Sequence, residues 1–111
     1  IMKKWKHPEV LHTGHKDFKI VQKSLTKDSL YGCVEFPKAT ITVDPNQSEV
    51  DYKGTLLHEI IHVGWDLWGL GDDDEMPQMG NEFITTVTSN MLQVLWGQNK
   101  ELFTFIFSSD E

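Results

Sequence analysis

Two histidines and a glutamate within five residues form the pattern in this chain that points most clearly to chemistry. The segment reads His58-Glu59-Ile60-Ile61-His62. On an α-helix, side chains four residues apart differ by about 40° in direction and about 6 Å in rise, so His58 and His62 could converge on one metal ion. Glu59 would project beside the pair, where a carboxylate suits a base that acts on a metal-bound water.

A catalytic zinc ion needs a third protein ligand, and the sequence offers a candidate. Glu82 lies twenty residues after His62, near the start of a second helical pattern, and an antiparallel pair of helices would bring its carboxylate to the ion. Two histidines and one glutamate are an established ligand set that leaves a fourth position open. The structural alternatives are that the histidines are hydrogen-bonded core residues and that Glu82 only complements a helix dipole.

Two helices are predicted to position these residues. Apolar residues recur at helical spacing from about Ser48 to Leu70, which indicates an amphipathic helix that carries both histidines. Ser48 is a suitable first residue, and Gly69 and Gly71 would end the helix. A second helical pattern runs over residues 83–97 and is expected to pack its apolar stripe on the first helix.

Three strand-like runs precede the helices, and they predict a small antiparallel sheet or meander. The runs cover residues 18–21, 30–36 and 39–43. Pro37 and Pro45 flank the third run, which fits an edge position or a short strand. The apolar tail, Leu102 to Phe107, is compatible with either a closing helical turn or a last strand. The acidic run Asp72 to Glu75 lacks the pattern of a calcium loop and is interpreted as a solvated turn.

Length and composition predict one domain over residues 1–111, and the strand and helix patterns make it α+β. With 39% hydrophobic and 24% charged residues, the chain has the composition of an ordinary globular domain. A net charge of −7 and the absence of arginine argue against a reader of duplex DNA. Cys33 is the only cysteine, so no intramolecular disulfide is possible. No apolar stretch has the length of a membrane span or a secretion signal, which favours a cytoplasmic location and no membrane contact.

The segment from His58 to Glu82 resembles the gluzincin zinc peptidases. In that group a His-Glu-x-x-His helix is followed about twenty residues later by an Asn-Glu pair that opens the ligand helix, and Asn81 precedes Glu82 here. More loosely, the strand Ala39 to Val43 and the run Thr55-Leu56-Leu57 before the motif look like the compact ImmA/IrrE and SprT types and the single-domain minigluzincins.

This resemblance implies a fold, an activity and a set of site residues. The fold would be a small zincin-like α+β domain, with an antiparallel or mixed sheet of about three strands packed on an active-site helix and a second ligand-bearing helix. The activity would be that of a zinc-dependent endopeptidase acting on a peptide or protein substrate. One Zn²⁺ would be held by His58, His62 and Glu82, and Glu59 would be the general base and acid.

The chain departs from the thermolysin-like pattern at two points. In thermolysin-like enzymes an aspartate four residues after the ligand glutamate supports a zinc histidine, and in this chain that position is Thr86. Asp66 is the other candidate for that support, and its alternative role is that of a solvated acid. No tyrosine or histidine follows His62 to stabilise the transition state. The remaining candidates precede the motif, and spacing assigns none of them: His7, His12, His15, Tyr31 and Tyr52.

Further hypotheses concern the substrate cleft and two other functions. An extended peptide would add to an open sheet edge at Ala39 to Val43, and the tail from Leu102 to Phe107 or Asp110-Glu111 could occupy the cleft. The first other function is a non-catalytic, zinc-stabilised binding module. The second is a nucleic-acid-associated protease of the SprT type that uses the lysines of the first 27 residues, although the net acidity makes nucleic acid an improbable partner. Oligomeric state is left open.

Overall fold

The computed structural model describes residues 4–71 and 79–108. These residues form an α+β fold with four strands and three helices. The strands are β1 (Val10–Leu11), β2 (Phe18–Gln22), β3 (Gly32–Glu35) and β4 (Thr40–Val43). The helices are α1 (Glu49–Leu67), α2 (Asn81–Gln98) and α3 (Lys100–Phe107). The turn predicted at Asp72 to Glu75 and the residues Asp110-Glu111 lie outside the described residues.

The sheet is mixed, with strand order β1-β2-β4-β3. β2 and β4 are parallel, whereas β1 pairs with β2 and β3 pairs with β4 in antiparallel fashion. The predicted α+β fold with a mixed sheet is confirmed, whereas the alternative of a purely antiparallel sheet or meander and the number of about three strands were wrong. β1 was missed because two residues are too few to show an alternating pattern.

Of the two possibilities predicted for the third run, the short strand is confirmed, because β4 has four residues, and the edge position was wrong. β4 lies inside the sheet and pairs with a strand on each side. Pro37 and Pro45 do not interfere because both lie outside Thr40–Val43, so no ladder hydrogen bond lacks its N–H donor. The edge strand next to β4 is β3, so a peptide cannot add to β4 as the sequence predicted.

The helix predictions are confirmed with small changes at the ends. Ser48 caps α1 because its side-chain oxygen accepts a hydrogen bond from the N–H of Asp51 at 3.1 Å. Beyond the last turn, Gly69 has a φ of +90°, a conformation that favours glycine. The tail forms the helix α3, which decides between the two structures left open for Leu102 to Phe107.

The core lies between one face of the sheet and α1, and α2 and α3 pack around them. Fully buried residues come from β1, β2, β4 and all three helices, among them Phe18, Ile41, Tyr52, Met91 and Phe103. The described helices include none that is both long enough and apolar enough to cross a membrane.

Two polar side chains connect outer parts of the chain to this core through hydrogen bonds. The buried amide of Asn99, between α2 and α3, accepts a hydrogen bond from the N–H of His12 and donates to the carbonyl of His12, both at 2.7 Å. The same amide donates to the carbonyl of Leu95 at 2.8 Å. At the other end of α3, the Lys53 ammonium donates to Glu49 at 2.7 Å and to the Ser108 carbonyl at 2.8 Å.

Candidate active site

The two histidines of the motif lie on consecutive turns of α1 and face each other. Their Nε2 atoms are 3.2 Å apart, and the ring centroids are 4.7 Å apart with an interplanar angle of 71°. His58 is exposed and His62 is half-buried. The convergence predicted from their spacing is therefore present in the structure.

The separation of the two nitrogens matches what a zinc ion would require. Two histidine nitrogens bound to tetrahedral zinc at 2.0–2.1 Å are about 3.3 Å apart, close to the observed 3.2 Å. The same distance also suits an N–H···N hydrogen bond in which one imidazole donates to the other. Residues 4–71 and 79–108 contain no group of three or more His, Cys, Asp or Glu side chains arranged to hold a metal ion. The structure thus supplies a two-histidine fit to zinc without a third ligand.

Glu59 points from α1 toward the edge strand β3. It is buried, with 8% of its surface exposed. A Cβ atom built on Gly32 of β3 would lie 3.1 Å from Glu59 Oε2 and 2.7 Å from Thr55 Cγ2. Only glycine allows the strand to approach the helix so closely. Burial raises the pKa of Glu59, whereas charge on His58 and His62 acts in the opposite direction.

Glu82 is exposed in the first turn of α2 and is not gathered with the two imidazoles. α2 meets α1 further along, where Trp65 Nε1 donates to Thr88 Oγ1 at 3.0 Å and a side chain on Gly64 would overlap Met91. Glu82 precedes Met91 by nine residues, which is two and a half turns. Glu82 therefore lies on the side of α2 opposite Met91.

The two residues proposed to support a zinc histidine are both exposed. Asp66 follows His62 by one turn of α1, and Thr86 follows Glu82 by one turn of α2. In the described part of the chain, Asp66 and Thr86 make no hydrogen bond to His58 or His62. The Nε2 atoms of these two histidines contact each other. The supporting role of Asp66 and Thr86 stays a prediction.

A cleft of about 930 Å³ leads to the histidine motif. One side is formed by Tyr31 and Gly32 at the start of β3. The other side is formed by α1, including Thr55, His58 and Glu59, and the residues between β4 and α1 close one end. Glu59 and one of the two imidazoles are thus accessible to a molecule bound in the cleft.

Of the five candidates for transition-state stabilisation, the cleft includes Tyr31, which is 68% exposed. Tyr52 is fully buried, and its hydroxyl is hydrogen-bonded to His7 Nε2 at 2.7 Å. His12 Nδ1 lies 3.2 Å from a carboxylate oxygen of Asp17. Position in the fold therefore singles out Tyr31, which the sequence spacing could not do.

The backbone of β3 offers hydrogen-bonding groups at the edge of the sheet. The N–H of Asp44 donates to the carbonyl of Tyr31 at 2.9 Å, and in the antiparallel register Gly32 lies opposite Val43. Backbone groups alternate in direction along an antiparallel strand. The N–H and C=O groups of Gly32 and Val34 consequently point away from β4.

The strand-like pattern of residues 30–36 did not indicate that Tyr31 and Gly32 would form one side of the cleft. A glycine inside a strand-like run often marks a close approach of another element, and Gly32 carried that signal.

Comparisons of the chain with protein-family models, with curated proteins and with solved structures found no match.

Proposed function

We propose that this chain is a zinc-dependent endopeptidase. The observation that carries the proposal is the pair of imidazole Nε2 atoms 3.2 Å apart on the helix that also carries the buried Glu59, with His58 and Glu59 lining a cleft next to a sheet edge. His58 and His62 would hold the ion, with Glu82 as the third ligand. When bound, zinc would supply a Lewis acid for the peptide carbonyl and would acidify a water molecule.

The chain's own residues would bind the peptide and move the proton. Burial raises the pKa of Glu59, which makes its carboxylate a stronger base. Glu59 would take a proton from the attacking water and deliver it to the amine that leaves, so that one water is consumed for each peptide bond broken. The outward N–H and C=O groups of Gly32 and Val34 would hold the substrate as an added strand, in place of the edge first expected at β4.

The proposal requires the N-terminal turns of α2 to reorient when the metal binds. Three features support this requirement. Glu82 is exposed, no residue from Asn81 to Asn90 is buried, and α2 contacts α1 through Thr88 and Met91, more than a turn beyond Glu82. Reorienting these turns relative to Met91 would break backbone hydrogen bonds of the helix, but it would disrupt little side-chain packing.

Replacing Glu59 by glutamine tests the proposal. We expect Glu59→Gln to keep its zinc, because the residue is not a ligand, and to cleave a protein substrate about 10²- to 10⁴-fold more slowly, because general-base catalysis is worth that much. Glu101→Gln, an exposed glutamate of α3 outside the cleft, is the matched control. Absence of cleavage by the zinc-loaded parent chain, or full cleavage by Glu59→Gln, would contradict the proposal.

A second candidate is a zinc-binding module without catalysis. The specific observation in its favour is that the described residues gather two histidines but no three-ligand group. In that case the chain would take up zinc through His58 and His62 and gain stability from it. Neither the parent chain nor Glu59→Gln would then cleave any peptide, which separates the two candidates.

A further inference from the structure

The Glu59 carboxylate is kept in place by packing rather than by hydrogen bonds. Among residues 4–71 and 79–108, no side-chain or backbone group donates a hydrogen bond to it. The side chain lies against Gly32 of β3, with Oε2 3.1 Å and Cγ 3.2 Å from a Cβ atom built on that glycine. The direction of the carboxylate therefore depends on the other side chains that pack beside it.

Thr55 is a side chain that packs beside Glu59. It precedes Glu59 by four residues on α1, so the two side chains are neighbours on one face of the helix. Helical side chains lean toward the N-terminal turn, which brings Glu59 toward Thr55. The Thr55 methyl carbon Cγ2 lies 2.7 Å from the Cβ position built on Gly32. The methyl group therefore occupies the space into which the Glu59 side chain would otherwise lean.

A hydrogen bond to Gln47 sets the position of this methyl group. In helices a threonine side chain divides between two χ1 rotamers, because its hydroxyl can bond a backbone carbonyl of the preceding turn. The Thr55 hydroxyl instead donates to Gln47 Oε1 at 3.0 Å. Since the hydroxyl and the methyl group share one carbon, this bond also fixes the methyl group against Gly32. Without it, the hydroxyl could turn to the carbonyl of Asp51, four residues earlier, and the methyl group would move away.

The amide of Gln47 has one favoured orientation. Gln47 lies between β4 and α1, and its Nε2 donates to the Asp44 carbonyl at 2.7 Å. The carbonyl oxygen of Tyr31 lies 3.5 Å from the same nitrogen. A reversed amide would place its oxygen against these two carbonyl oxygens, which accept hydrogen bonds but cannot donate them. Oε1 is therefore directed at Thr55.

We propose that Gln47 is a positioning residue for the general base: it selects the Thr55 rotamer that keeps the Glu59 carboxylate directed into the cleft. This inference rests on the proposed peptidase function and adds a residue to it. Loss of Gln47 should slow the proton transfer, which requires an aligned base, more than it weakens substrate binding. Gln47 also lines the cleft, so the test must separate positioning from direct contact with a substrate.

Four variants make this separation. Gln47→Met has a side chain of similar length but lacks the amide. Gln93→Met is the matched control, because Gln93 is exposed on α2 and does not line the cleft. Thr55→Ser keeps the hydroxyl and removes only the methyl group, which tests the same step in a chain that retains Gln47. The double variant Gln47→Met with Thr55→Val restores a methyl group toward Gly32 without a hydrogen bond. Valine carries methyl groups in both γ positions and has one strongly preferred rotamer in a helix.

Steady-state kinetics on the zinc-loaded full chain are the first readout, with casein as the substrate. We expect Gln47→Met and Thr55→Ser to lower kcat by about tenfold or more, with KM and zinc content within about twofold of the parent values. The double variant should recover most of kcat, because Thr55→Val supplies the missing methyl group. A residue that only stabilises the fold, or only contacts the substrate, would not be rescued in this way. Gln93→Met should match the parent chain.

Nuclear Overhauser effects in the metal-free chain are the second readout, and they depend on neither zinc nor activity. In the parent chain we expect contacts from the α protons of Gly32 to the Thr55 methyl group and to the Glu59 γ protons. Gln47→Met should lose the first contact and weaken the second. In the double variant, a valine methyl group should restore both contacts.

The outcomes separate this inference from the proposed function. Casein cleavage by the parent chain, with kcat unchanged in Gln47→Met or with a loss that Thr55→Val does not recover, overturns the positioning role and leaves the peptidase function standing. Contacts that are lost in Gln47→Met and restored in the double variant, without cleavage by the parent chain, support the role of Gln47 in directing Glu59 and overturn the peptidase function. Unchanged contacts without cleavage overturn both.

Discussion

The helix α1 and the helix α2 have nearly the same length but are anchored very differently. Seven of the 19 residues of α1 are buried, including Glu59 in the motif itself. In α2 only Met91 and Leu95 of 18 residues are buried, both in its second half. The part of the candidate metal site on α1 is therefore fixed by folding of the core, whereas the part on α2 belongs to turns that packing barely constrains.

Metal affinity is the strongest test of this difference. We expect His62→Ala to lower zinc affinity by more than the roughly 10- to 100-fold typical of losing an outer hydrogen-bond partner, since it removes half of the preformed pair. Glu82→Ala should also weaken zinc binding, but by less, because reorienting α2 costs part of the binding free energy that the Glu82 carboxylate would contribute. Competition with a chromophoric chelator measures both.

Glu101→Ala serves as the control for removal of an exposed glutamate from a helix first turn. Zinc affinity in Glu82→Ala equal to that of the parent chain would mean that α2 takes no part in the site. The comparison between the two helices would then lose its functional meaning, and the non-catalytic candidate would be preferred.

In contrast to the weakly packed N-terminal turns of α2, its C-terminal end should contribute strongly to the stability of the fold. Asn99→Ala leaves the N–H and C=O of His12 and the carbonyl of Leu95 without their partner, and unpaired buried groups cost about 1–3 kcal/mol. We expect a loss of roughly 2 kcal/mol or more in unfolding free energy, measured by urea denaturation. The control Asn90→Ala, which removes an exposed asparagine from α2, should change stability by less than about 0.5 kcal/mol.

The contact between the two helices can be tested with a single methyl group. Gly64→Ala would place its Cβ against the sulfur of the fully buried Met91, and overpacking of a core typically costs about 1–3 kcal/mol. Because methionine is flexible, we expect a value near the lower end in thermal or chemical denaturation. Gly54→Ala, in open space on the same helix, should instead stabilise by about 0.5–1 kcal/mol. Equal effects of the two substitutions would contradict the close approach.

The smallest expected effect concerns the burial of Glu59 in the metal-free chain. Its pKa is raised in the folded state because burial penalises the charged form, so the folded chain binds the proton more tightly than the unfolded chain. Stability should therefore decline as pH rises from the unfolded pKa of about 4.3 through the higher folded pKa. In Glu59→Gln this contribution is absent.

Urea denaturation in the presence of a chelator measures this effect between pH 4 and 8. The stability of Glu59→Gln relative to the parent chain should increase with pH above the unfolded pKa and level off above the raised folded pKa. Because the other titrating groups are common to both proteins, the difference isolates Glu59. A difference that is constant with pH would indicate that the carboxylate is solvated rather than buried.

Features that depend on neighbours along the chain could be predicted from the sequence. The facing of His58 and His62 follows from their four-residue spacing, and the start of α1 follows from the capping side chain of Ser48. Both need only local geometry. For the same reason the helical nature of residues 83–97 was confirmed.

Features that depend on distant partners could not be predicted in this way. The sequence placed Met91, and either Val94 or Leu95, on the apolar stripe of α2, with either Phe83 or Ile84 at its start. In the structure Met91 and Leu95 are buried, whereas Phe83 and Val94 are 54% and 41% exposed. Which part of the stripe packs on α1 depends on Gly64 and Trp65, and this choice sets the direction of Glu82. Likewise, nothing local indicates that β4 enters between β2 and β3.

The hydrogen bonds between His12 and Asn99 join residues 87 positions apart, and this span has a consequence for the order of folding. Closing so long a segment costs chain entropy that only a nearly complete structure can offset. We expect β1, only two residues long, to dock late, after the sheet centre and α1 have assembled. Amide protection in a pulsed hydrogen-exchange experiment should accordingly appear at His12 after it appears at Ile60.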